Sequence, residues 1–212
     1  MKTDLLIKAM AKDATIARNL VPGRTCAAVG ISLLVLGAVF VLRLGFRPDL
    51  VTREAQLATT IKLTFTISLS MASLFLLLQE AVPGKRNSRS LLLLLLPLVI
   101  LLLESAFEFW SYGLGGWQDR LIGSNGLQCL AFIPALASVP LVGLIAVLRA
   151  GAPIRPGLAG MLAGVAATGI ASTFYALSCP DDSPLFVAFW YGIAIGVVAI
   201  VGMLAGRVFS RW

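Results

Sequence analysis

Histidine is absent from the 212 residues, and charged residues make up only 13% of them. Without histidine there is no imidazole acid–base chemistry near neutral pH, no His-containing zinc site and no haem held through His. The scarcity of charge excludes more. Soluble domains carry about 25% charged and about 45–50% apolar residues. Here hydrophobic residues reach 58% and the mean hydropathy is +0.93. A chain with so few charges cannot coat a globule, so much of its surface must face lipid. No Gly-rich phosphate loop, serine nucleophile elbow or zinc pattern occurs. Neither enzymatic activity nor a cofactor is expected.

Acidic residues are also scarce, 10 against 17 Lys and Arg, which leaves a net charge of +7. Such a balance fits either a nucleic-acid partner or the cytoplasmic bias of basic residues in membrane proteins. Where the charges lie decides between them.

A helix crosses a hydrocarbon core of about 30 Å with about 20 residues. Six stretches qualify: Thr25–Leu44, Thr60–Gln79, Leu91–Trp110, Leu127–Leu148, Gly157–Ser178 and Leu185–Arg207. The fold class expected is an all-α integral membrane bundle of six transmembrane helices. Thr and Ser punctuate the second stretch, where they can bond back to their own carbonyls. Pro97 in the third predicts a kink. The first stretch has basic residues before it but is too long for a signal peptide and runs on into more membrane, so it is read as a retained span.

With the N-terminus inside, Lys2, Lys8, Lys12, Arg18, Arg24, Lys85, Arg86, Arg89, Arg149, Arg155, Arg207 and Arg211 fall on the cytoplasmic side. Arg43, Arg47, Arg53, Lys62 and Arg120 fall outside. The positive-inside rule then puts both termini in the cytoplasm. Most acidic residues, Asp49, Glu54, Glu104, Glu108, Asp119, Asp181 and Asp182, go to the outer side. The basic character is therefore a topology signal and calls for no direct nucleic-acid contact.

Gly160-x-x-x-Gly164 lies in the fifth span; Gly192-x-x-x-Gly196 and Gly202-x-x-x-Gly206 lie in the sixth. This spacing makes a flat strip that a second backbone can approach closely. The strip serves packing within the chain or a seam between copies in a homo-oligomer, and packing within the chain is the commoner use.

Cys129 and Cys179 are about fifty residues apart, yet this topology delivers both to the outer face. Three readings follow from the spacing: a static disulfide, two buried unpaired thiols, or a pair open to oxidants and soft metals. Spacing alone favours the structural readings. Cys26 lies at the inner end of the first span and belongs to the other compartment. In the acidic turn Cys179-Pro180-Asp181-Asp182-Ser183-Pro184 the two carboxylates can attract a cation or cap the sixth helix; the two roles are compatible, and capping is the commoner one.

Charges near the apolar runs are costly unless paired or placed at an interface. Glu104 and Glu108 share a helical face and are expected to pair with Arg43 or Lys62, both also outward. Residues 1–24 form the only candidate cytoplasmic element, ahead of a transmembrane domain over 25–212. Thr3 and Asp4 can start a helix in which Leu5, Leu6, Ala9, Met10, Ile16, Ala17 and Leu20 recur at helical spacing between basic residues. Val21-Pro22-Gly23 is expected to break it before the membrane. Such a basic amphipathic helix either lies on anionic lipid or docks into a groove on a partner.

Several stretches together resemble the NrsF family, six-span inner-membrane anti-sigma factors of proteobacteria. They are Met1-Lys2-Thr3-Asp4-Leu5-Leu6, Gly45-Phe46-Arg47-Pro48-Asp49-Leu50, Pro83-Gly84, Arg149-Ala150-Gly151-Ala152-Pro153 with Pro156, Cys179 with Asp181-Asp182-Ser183-Pro184, Phe186 to Tyr191, and Arg211-Trp212. The resemblance implies a cytoplasmic N-terminus that holds an extracytoplasmic-function sigma factor at the membrane, with Asp4, Leu5, Leu6, Ala9 and Met10 as binding residues. It implies that Cys129 and Cys179 are the family's periplasmic pair, which senses oxidants or heavy metals and would supply any metal ligands. Cys26 stands outside that pattern. The competing class is a small transporter or channel in which Glu104, Glu108 and Lys62 line a route.

Overall fold

The computed structural model describes residues 3–81, 88–113, 115–151 and 153–209; the side chains of residues 3–20, 88 and 89 lie outside the description. Several expected features therefore fall outside it: the side chains of Asp4, Leu5, Leu6, Ala9 and Met10, and the residues Lys2, Pro83, Gly84, Lys85, Arg86, Ala152, Arg211 and Trp212.

Among the described residues the chain is all helical. Helix α1 spans Thr3–Val39 and passes into a π-helical turn, Phe40–Leu44. A 3₁₀ turn, Pro48–Val51, leads to α2, Arg53–Ala81. A second 3₁₀ stretch, Ser88–Leu94, leads to α3, Leu95–Tyr112. Short α4, Trp117–Ile122, precedes α5, Gly126–Gly151, and α6, Pro156–Ala176. The last span joins α7, Pro184–Phe186, the π turn Val187–Tyr191 and α8, Gly192–Phe209.

Six of the described helical stretches are long and apolar enough to cross a membrane: Val21–Leu44, Arg53–Ala81, Ser90–Tyr112, Trp117–Gly151, Pro156–Ala176 and Pro184–Phe209. They match the expected spans to within a few residues, except that the second begins seven residues earlier, the fourth takes in α4, and the sixth starts with Pro184.

Helix α6 is the centre of the bundle. Its most apolar window is 67% buried, against 11% for the third span, which lies on the periphery. It packs against α2, α5 and α8, while α1 lies along α5. Lipid is as apolar as leucine, so close van der Waals packing must hold such helices together. The glycines supply it. A Cβ on Gly160 would collide with the Gly202 carbonyl, and one on Gly164 with the Val198 carbonyl. A Cβ on Gly206 would strike the Pro156 carbonyl in the same way. Gly192 and Gly196 face open space. The α6–α8 strip is thus used within the chain.

The second span bears out its Thr and Ser pattern. Thr60, Thr64, Ser70 and Ser73 each donate to the carbonyl four residues back at 2.6–2.8 Å. Ser70 also lies where a side chain on Gly169 of α6 would otherwise sit.

Two proline expectations need correction. No break occurs at Val21-Pro22-Gly23, because α1 runs through Pro22 as one helix. Proline forfeits one backbone bond there, a loss that membrane helices absorb. The neighbouring turn is held: Val21 is 1% exposed beside Gly151, and the Thr25 hydroxyl donates to the Val21 carbonyl at 2.9 Å. Pro97 lies not in a helix interior but in the first turn of α3, just after the 3₁₀ stretch, where its missing N–H leaves little unsatisfied.

The two ends of the bundle differ. At one, Val21 meets Ala81 and Gly151, and Arg207 lies over Gly157. At the other, the turn after α6 meets the segments following α1 and α4. The candidate site lies there.

Candidate functional site

The turn from Cys179 to Ser183 carries most of the chemistry. Cys179 follows α6 directly, and its N–H donates to the Tyr175 carbonyl at 3.0 Å. Cys129 lies in the first turn of α5, its N–H bonded to the Asn125 carbonyl at 2.9 Å. The two thiols are brought together as the spacing expected. They are 0% and 2% exposed and unlinked, with Cys129 close enough to favour the Cys179 thiolate. Cys26 is exposed in α1, beside neither.

Aromatic rings floor the pair. The Cys129 thiol donates to the Tyr175 hydroxyl at 3.4 Å. Tyr191, fully buried, meets the Tyr175 ring edge-on at 6.3 Å, and its hydroxyl has no hydrogen-bond partner among the described residues.

Two cations that reach into this buried region hold the turn from behind. Lys62, 1% exposed in α2, donates through Nζ to the Cys179 carbonyl at 3.1 Å and to Asp182 Oδ1 at 2.8 Å. Arg47, 5% exposed, donates through Nη1 to the same carbonyl at 3.2 Å and through Nη2 to Asp182 Oδ2 at 2.8 Å. Its remaining fork closes on Asp49, Nε to Oδ1 at 2.7 Å and Nη2 to Oδ2 at 2.6 Å. A buried charge left without a partner would cost several kcal/mol; here two cations meet two carboxylates. The Arg47 guanidinium holds the Asp49 carboxyl down to about 2.

Backbone contacts complete the junction. Gly45, at φ 71°, ends the π turn with its N–H on the Phe40 carbonyl, a left-handed conformation that favours glycine. The Ser178 hydroxyl then reaches the Gly45 carbonyl at 2.7 Å, and the Arg47 N–H reaches that of Leu177 at 3.3 Å.

The expected helix-capping role of the acidic turn needs correction. Asp181 accepts from the N–H groups of Ser124 and Asn125 at 3.1 and 2.9 Å, and from both their side chains. It therefore serves the start of α5. Burial pushes its carboxyl up, but these donors outweigh burial and hold it below the usual range. Asp182 serves Arg47 and Lys62. The carboxylate at the start of the last span is Glu108, which accepts the Ser183 hydroxyl at 2.8 Å and the Leu185 N–H at 3.3 Å.

The expected partners of Glu104 and Glu108 are corrected as well. Glu108 lies 3.5 Å from Arg120, not from Lys62 or Arg43. Lys62 is drawn away by Asp182, and Arg43 is exposed with no partner among the described residues. Glu104 borders a cavity of about 690 Å³ with Glu54, Phe107, Tyr112 and Arg120. No group of three or more His, Cys, Asp or Glu suited to a metal ion occurs among the described residues.

Chemically, the site offers two adjacent thiols in a neutralised polar cage. The Cys129 thiol favours the Cys179 thiolate most, burial opposes it, and the Lys62 charge favours it again; the balance lies below the ordinary thiol range. A thiolate beside a thiol is the arrangement from which a disulfide forms or a soft ion is gripped. Sequence reasoning missed Arg47, Tyr175 and Tyr191. A lysine inside an apolar run, Lys62, was the available signal that the turn had buried cationic support.

Known proteins resemble this chain over its length. A family model described as negative regulator of sigma F matches residues 10–212. A Caulobacter vibrioides protein named anti-sigma-F factor NrsF is 30% identical over 220 residues, covering all of both chains. An Azospira oryzae protein named probable anti-sigma-F factor NrsF is 33% identical over 155 residues, covering 72% of this chain and 71% of that one. No solved structure matches.

Proposed function

The chain belongs to the NrsF family of negative regulators of sigma F, and from that premise we propose that it sequesters an extracytoplasmic-function sigma factor at the inner membrane and releases it when Cys129 and Cys179 react. Membership makes its role regulatory rather than catalytic. Both termini are cytoplasmic in this reading, supported by the bias of Lys and Arg. The sigma factor docks on the first turns of α1, where Asp4, Leu5, Leu6, Ala9 and Met10 recur at helical spacing.

The observation that carries the sensor half is the juxtaposition of two buried thiols at one end of the bundle. An oxidant takes two electrons, the two thiol protons leave, and one S–S bond forms. A soft metal ion instead displaces both protons and is held by the two thiolates. Either event changes a turn that has partners in the segment following α1, in α2, in α3 and at the start of α5.

Replacing both thiols with serine tests this. With Cys129→Ser and Cys179→Ser together, a sigma-dependent reporter is expected to stay at its uninduced level under oxidant or cadmium. A full response from that variant would remove the sensor assignment.

A further inference from the structure

We propose that Arg47 is a positioning residue that carries the state of Cys179 into α1, so that the sensing turn and the sigma-binding end are coupled through one helix. The proposal rests on the reading of the cysteine pair as a sensor and adds the path.

Arg47 grips the backbone of Cys179 itself. Its guanidinium bonds to the Cys179 carbonyl and to Asp182, three residues on, while its own N–H bonds to Leu177, two residues before. Arg47 thus straddles the reactive residue. In a disulfide the sulfurs must close to about 2.05 Å and the Cβ atoms to about 3.8 Å. Drawing Cys179 towards Cys129 in α5 moves its carbonyl, and a fork with fixed geometry cannot follow without turning.

What Arg47 is attached to makes this consequential. Gly45 lies two residues before it and closes the π turn that continues α1. From Thr3 to Leu44 the chain is helical throughout, and only Gly45 and Phe46 separate that helix from Arg47. At about 1.5 Å per residue, the 37 residues of α1 form a rod of about 55 Å. This rod lies towards the periphery: its span window is 22% buried, against 67% for α6, and it packs mainly along α5. The π turn Phe40–Leu44 is an over-wide turn of the kind found at functional sites.

Cys26 provides a natural reporter. It is exposed in α1, 21 positions before Arg47, whereas Cys129 and Cys179 are 0% and 2% exposed. A bulky environment-sensitive maleimide will therefore mark Cys26 selectively. The full-length protein in nanodiscs would be labelled and then oxidised with diamide, which takes up the two electrons and two protons as the disulfide forms. Disulfide formation is read by mass and the label by emission wavelength.

In the wild-type chain, oxidation is expected to shift the emission. In Arg47→Gln the disulfide still forms and the shift is lost. Arg47→Lys, which keeps the charge but not the fork, retains folding and gives less than half the shift. Arg53→Gln, a change at an exposed arginine beyond the 3₁₀ turn, leaves it intact. A wild-type shift in oxidised Arg47→Gln and Arg47→Lys would overturn the proposal while leaving the sensor reading standing. Oxidation of the wild-type chain without any shift would overturn it as well. Failure of the wild-type pair to oxidise would remove the sensor reading and the coupling with it.

Discussion

Cys179 is almost wholly buried yet surrounded by charge, and this combination sets its chemistry. A neighbouring thiol favours the thiolate most, burial disfavours it, and the Lys62 ammonium favours it again; the balance lies below the ordinary thiol range. A lowered value means that the thiolate persists to lower pH. Peptide-resolved mass spectrometry of reaction with methyl methanethiosulfonate should therefore place the half-maximal rate at Cys179 at a lower pH than that of an unstructured cysteine peptide in the same buffer. In Lys62→Gln the ammonium is gone, the thiol binds its proton more tightly, and the midpoint moves up. A midpoint that stays put in that variant would show that Lys62 does not tune the thiol. The meeting of Cys129 and Cys179 follows from topology, because two positions at the ends of successive spans have only two faces to reach. The link from Arg47 to Asp182 spans 135 residues and leaves no periodic trace. It requires knowing which helix ends are neighbours.

Among the helices, glycine decides which ones approach closely. Gly160 and Gly202 present each other's backbones across the α6–α8 contact, so a side chain at either position collides with a carbonyl rather than with a flexible tip. Overpacking of this kind costs about 1–3 kcal/mol and sometimes more. Gly160→Val and Gly202→Val should each lower the thermal unfolding midpoint in detergent by several degrees. Gly196→Ala, facing open space, should leave it unchanged or slightly raise it. Equal effects at all three positions would contradict the intramolecular assignment of the strip. The spacing of these glycines was legible from sequence, and so was their likeliest use. The continuation through Pro22 was not, since the local rule that proline breaks helices gives way where flanking turns are anchored, as Val21 is buried against Gly151.

Across the whole molecule, hydropathy made the six spans readable, because lipid imposes length and apolarity on every crossing. The fine structure at the cysteine end of the bundle escaped, because short polar turns carry no such constraint and their partners are chosen by packing. The central claim is that a membrane-embedded bundle holds a sigma factor through the first turns of α1. Affinity purification of the tagged full-length chain from detergent-solubilised membranes tests it directly, beside a chain lacking residues 2–20. A sigma factor is expected to co-purify with the full-length chain, to be absent with the truncated one although its six spans still insert, and to leave the full-length chain when oxidant is added. Equal recovery with both chains, or recovery with neither, would contradict the account.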